Sequence, residues 1–188
     1  MAVHVHWRRL QDGGTDACRL ASHNTGWRLE GAAIWQGRGT GSCIAYRIVT
    51  DGQWRTQLAE IAGWSRGHAI RERITRDHTG WMVNGMPIGI TAAQDVDLGF
   101  TPATNTLTIR RLALVDGQEI ALTAAWLDPD DWQVKPLEQA YRRVGARYAY
   151  RSPAHGYHAM LTVDPSGIVT DYPELWRAEL LTEGPEES

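Results

Sequence analysis

The sequence predicts an all-β protein: a single curled antiparallel sheet, a spiral β-roll or open barrel, with at most one or two short helical turns. Two observations carry this. Apolar residues recur with period two in many short runs, as they do on half-buried strands. Turn-forming dipeptides separate those runs at short intervals, which suits hairpins and not the long crossovers of βαβ units.

Taken in order, Val3–Trp7 alternates apolar residues with His4 and His6. In Ser42–Val49, Ile44, Tyr46 and Ile48 fall on one face and Cys43, Ala45, Arg47 and Val49 on the other. Trp54–Ile61 and His68–Thr75 alternate more loosely, and Ile120–Trp126 and Tyr157–Val163 complete the set. The punctuation is Asp12-Gly13-Gly14, Asp51-Gly52, Asn84-Gly85, Asp116-Gly117 and Asp164–Gly167, residues that supply or tolerate the backbone angles of tight turns. One segment reads both ways. Leu137, Ala140, Tyr141 and Val144 have helical spacing between Pro136 and Gly145, yet the same residues also fit a strand. Thr101–Thr106 is polar and reads as a loop or a single helical turn.

The chain has 188 residues, 43% hydrophobic and 22% charged, enough for one domain with a substantial core. That domain is expected over residues 1–180, with 181–188 as a loose acidic tail. Nineteen basic residues against twenty-two acidic ones give a net charge of −3, which argues against nucleic acid as a partner. Two cysteines make no disulfide framework and suit a reducing compartment. No segment has the apolar length of a membrane span or a signal peptide, so a cytoplasmic location is expected.

Several motifs bear on chemistry. Gly63–Gly67 matches the G-x-S-x-G nucleophile elbow, but no helical stripe follows it, so a hairpin turn is the expectation. Gly37–Gly41 is glycine-rich but precedes a strand, whereas a phosphate loop opens a helix. His4 with His6 and His155 with His158 have no carboxylate or Cys partners at ligand spacing; neither a metal nor a cofactor is called for. Asp95 and Asp97 are more informative. On a strand they share a face about 7 Å apart, close enough for one to raise the other's pKa as an acid/base pair requires. Asn105, Arg110 and Arg111 follow closely, and Asp beside Arg more often makes a structural ion pair.

The block Asp95–Leu98, Thr101–Leu107 and Ile109–Leu112 resembles a bacterial family described as glycolipid-binding. Trp54–Thr56, Gly80-Trp81, Ala124–Trp126, Gln139–Tyr141, Tyr148–Tyr150, Val163-Asp164 and Gly167–Trp176 fit the same family. Departures are Ala93-Gln94 where the family has a Cys, and Thr108 where it has a Pro. The resemblance implies a spiral β-roll similar to the periplasmic lipoprotein carriers, which hold acyl chains in an apolar concavity. It implies a glycolipid or other amphiphile as ligand and supplies no catalytic residues. The candidate ligand-binding set is Asp95, Asp97, Asn105, Arg110, Arg111, Trp126 and Tyr172. The alternatives are an enzyme acting on a sugar or lipid derivative through Asp95 and Asp97, and an interaction protein with no small ligand.

Overall fold

A computed structural model describes residues 2–37 and 40–184. The strands are β1 (Ala2–Arg9), β2 (Thr15–His23), β3 (Gly26–Gly37), β4 (Thr40–Thr50), β5 (Thr56–Ser65), β6 (His68–Asp77), β7 (Gly80–Val83) and β8 (Met86–Pro87). They continue as β9 (Val96–Leu98), helix α1 (Asn105–Leu112), β10 (Glu119–Leu127), β11 (Val134–Val144), β12 (Arg147–Ser152), β13 (Tyr157–Val163), β14 (Val169–Tyr172) and β15 (Trp176–Gly184). All fifteen strands belong to one curled, unclosed sheet.

Sequence neighbours pair from β8 back to β1. β1 then pairs with β15, and the order runs back from β15 to β9. The two free edges, β8 and β9, are therefore consecutive in the chain, joined by residues 88–95. The sheet is antiparallel as expected, apart from β9 with β10, which pair in parallel. The β1–β15 pairing runs from Ala2–Gly184 to Arg9–Trp176. It therefore places Leu181–Gly184 in a strand where a loose tail was expected, and residues 185–188 lie outside those described.

The alternation sets the core. In β4, Ser42, Ile44, Tyr46, Ile48 and Thr50 are buried, as the period-two pattern requires. Leu137–Val144 is strand and not helix: β11 pairs with β10 over Val134–Arg142 and with β12 over Ala140–Val144. Both neighbours satisfy its backbone, which overrides local spacing. Gly63–Gly67 closes the β5–β6 hairpin. In the glycine-rich β3–β4 hairpin, Gly37 pairs with Thr40, and Arg38 and Gly39 lie outside the described residues.

The single helix is longer than the one turn expected near Thr101, because it continues through Ile109–Leu112. Residues 100–109 are all buried, and they touch both halves of the roll. Phe100 stacks on Trp35 at 5.7 Å and meets Tyr46 edge-on, while the Asn105 amide donates to the Tyr141 hydroxyl at 2.8 Å. The concavity that the resemblance assigns to a ligand is thus filled by the chain's own α1 segment.

The segment leading into β9 is fastened to β5, β6 and β7 without a ladder. The Thr56 amide donates to the Gln94 carbonyl, and the Thr56 hydroxyl accepts from the Val96 amide, each at 3.1 Å. Arg76 and Trp81 donate to the Ala93 carbonyl.

Candidate functional site

The α1 segment is pinned by a buried ion pair. Asp95 is fully buried and takes a forked contact from Arg111, Nε at 2.8 Å and Nη2 at 2.6 Å, plus the Thr108 hydroxyl at 2.9 Å. Charge-assisted donors of this number hold a carboxylate that water cannot reach. Asp97 is partly buried and accepts from Gln139 and from Thr104. Burial pushes its carboxyl up to about 6 despite those donors. Both carboxylates face the α1 segment, and neither lines a cleft.

A second buried acid escaped the sequence reading. Asp16, on β2, is fully buried and accepts from the Tyr46 hydroxyl at 2.9 Å and from Thr101. Gly31 makes room for this: a Cβ there would lie 2.6 Å from the Tyr46 hydroxyl. Burial raises Asp16 to about 6, opposed by its two hydroxyl donors. Its place within an ordinary alternating strand gave no signal.

The open space lies at one end of the roll. The larger cleft, about 660 Å³, sits between the C-terminal end of α1 and the β11–β12 and β13–β14 turns. Ile109, Ala113, Ala146, Tyr148, Val163 and Pro165 give it apolar walls, with Arg143 and Asp164 at its margin, the Asp164 carboxylate accepting from Ser166 and the Ile168 amide. A second cleft of about 540 Å³ is lined by residues with polar head groups, Gln53, Arg55, Gln94 and Arg111. Trp54 and Arg110 belong to both. Volumes of this size suit small amphiphiles.

The β4–β5 turn supplies Trp54 and α1 supplies Arg110. Asp51 accepts from the Gln53 and Arg55 amides and from Arg55 Nε at 2.7 Å. Partial burial pulls Asp51 up, but these donors hold it below its ordinary value. The turn places Trp54 at φ 65°, a conformation bulky residues rarely adopt. Trp54 stacks on Trp27 at 4.5 Å, and the Arg110 guanidinium lies 4.9 Å from its ring centroid. On the far side, a Cβ on Gly167 would come within 2.7 Å of Arg110 Cδ. The Arg110 stem is therefore held between Trp54 and the β13–β14 turn. Arg143 ties the cleft wall to the helix exit, donating to the Leu114 carbonyl at 2.8 Å.

Of the seven candidate residues, Arg110 and Arg111 line clefts, and Asp95 sits behind Arg111. Asn105 faces Tyr141 in the interior. Trp126 meets His155 edge-on at 4.8 Å and lies near Lys135. Tyr172 packs among Tyr150 and Tyr157. The sequence reading did not single out Trp54 as a site residue; its position just after the Asp51-Gly52 turn was the available signal. Among the described residues, no three His, Cys, Asp or Glu side chains gather as a metal site would need.

The family model described as "Putative glycolipid-binding" matches residues 4–178. The chain belongs to this family. A crystal structure of a DUF1089 family protein from Pseudomonas aeruginosa is similar over 87% of this chain and 91% of that one, with 27% identity and a TM-score of 0.78. No match was found among curated proteins. No helix among the described residues is long and apolar enough to cross a membrane.

Proposed function

We propose that this protein binds an amphiphile of the glycolipid kind at the end of the roll, not in its central concavity. The alkyl portion lies in the apolar cleft, and the head group extends past Trp54 and Arg110 into the polar one. The observation that carries this reading is the adjacency of the two clefts around one shared Trp–Arg pair. The family description supports a sugar-bearing head group. The enzyme reading has less support, because Asp95 and Asp97 are committed to partners of the α1 segment and β11.

Titration of the protein with dodecyl glucoside, below its micellar concentration, tests the proposal by calorimetry and Trp fluorescence. Saturable one-to-one binding is expected. Ala146→Trp, which adds bulk to the apolar lining, is expected to weaken it at least tenfold with the melting temperature unchanged. Absent binding in the parent protein, or undiminished binding in the variant, contradicts the proposal.

A further inference from the structure

The second cleft has an unbalanced set of charges around it. It presents three guanidinium groups, those of Arg55, Arg110 and Arg111. Asp51 pairs with Arg55 and Asp95 with Arg111. No carboxylate among the described residues pairs with Arg110, and no hydrogen bond from its guanidinium to a described residue accompanies the Trp54 contact. An arginine that keeps its planar donors free suits forked recognition of an oxyanion.

The surroundings hold that donor in place. Trp27 covers one face of Trp54 while Arg110 lies over the ring, so a sugar cannot stack on Trp54 without displacing one of them. Gly167 closes on the Arg110 stem from the other side. Restriction of this kind reduces the ordering that binding must otherwise supply. The uncommon backbone angle at Trp54 is the type of strain that gathers at ligand clamps.

We infer that the head group is anionic, an acidic sugar or a phosphate, and that Arg110 is the residue that selects it. This rests on the amphiphile reading above. Arg110 donates to the oxyanion, its charge uncompensated because Asp51 and Asp95 are taken by Arg55 and Arg111, and the alkyl chain occupies the neighbouring apolar cleft.

Dodecyl glucuronide and dodecyl glucoside differ at one carbon, carboxylate against hydroxymethyl, and their titrations separate the two ideas. The glucuronide is expected to bind the parent protein at least tenfold more tightly, with a preference that shrinks as salt is raised. Arg110→Gln is expected to abolish the preference, so that the variant binds glucuronide no more tightly than glucoside. Arg110→Lys, which keeps the charge but loses the fork, is expected to retain part of it. Dodecyl phosphate distinguishes the two acids: whichever anion binds more tightly names the head group. Equal affinity of the parent protein for glucuronide and glucoside would overturn the anionic inference and leave the amphiphile reading standing. Binding of neither overturns both. A preference that survives Arg110→Gln excludes Arg110 as the selector. Free glucuronate binding as tightly as its dodecyl form overturns the use of both clefts by one ligand.

Discussion

Two buried aspartates meet opposite environments, and their substitutions should diverge accordingly. Asp95 accepts both prongs of the Arg111 guanidinium, so Asp95→Asn leaves Arg111 largely buried without its partner. Breaking such a pair from one side costs about 3–5 kcal/mol, to be read as a lowered urea midpoint. Asp16 is the reverse case, a buried acid whose donors are neutral hydroxyls. Its folded value of about 6 lies above the ordinary 3.8, so the folded state holds the proton more tightly. The stabilisation from that proton is complete below pH 3.8 and is lost as pH rises through about 6. Two units correspond to about 3 kcal/mol. Asp16→Asn should therefore be more stable than the parent at pH 8, by up to about that amount, and indistinguishable from it near pH 4. Urea titrations at the two pH values check this; an equal difference at both would refute it. The sequence shows that Asp95 and Asp97 matter, because two carboxylates so near two arginines need an explanation. It cannot show that only Arg111 turns towards Asp95 while Arg110 turns away, since that depends on where the last helical turn sits between two sheet edges.

At the scale of the element, α1 is an eight-residue helix held by its surroundings. Isolated helices this short are not stable in water. Its N-terminal residue Thr104 makes no side-chain cap; instead the hydroxyl accepts from the Leu98 amide and donates to Asp97. The first helical amides are satisfied by tight bonds to Pro102, Ala103 and Thr104. Its interior fastening is the Asn105–Tyr141 hydrogen bond, both residues being buried. Tyr141→Phe keeps the ring but strands the amide, at a cost of about 1–3 kcal/mol. Hydrogen exchange should show this loss first at the amides of α1, ahead of those in β3 to β5. The helix was legible only in part. A polar opening and Ile109–Leu112 give no complete apolar stripe, and burial on several sides replaces the amphipathic pattern by which short helices are recognised. The ambiguity at Leu137–Val144 has the same origin: four apolar positions satisfy both periods, and only the ladders on either side decide.

The whole molecule is a meander whose two free edges are consecutive in sequence. The repeated strands and turns made the roll readable, because each hairpin is a local event. The meeting of residues 93–96 with β5, β6 and β7 is not local, and neither are the clefts that depend on it. The polar cleft draws Gln53–Arg55 from the turn before β5, Gln94 from the crossing segment and Arg110 and Arg111 from α1. Its geometry therefore relies on the seam, and the seam relies on Thr56. That residue is buried, and its hydroxyl is the acceptor for the first amide of β9. Thr56→Val preserves shape and strand preference but leaves the Val96 amide without an acceptor, at a cost of about 1–3 kcal/mol. If the seam shapes the site, the same variant should weaken dodecyl glucuronide binding although Thr56 touches neither cleft, with faster exchange at residues 96–98. If stability falls and binding holds, the polar cleft is formed by the β4–β5 turn and α1 without help from the edge. Saturating ligand offers the converse measurement: at one hundred times its Kd it should add about 2.7 kcal/mol to stability. In the Thr56→Val protein it should also slow exchange across β9, because a ligand between the turn before β5 and the end of α1 spans the gap that the missing hydroxyl leaves open.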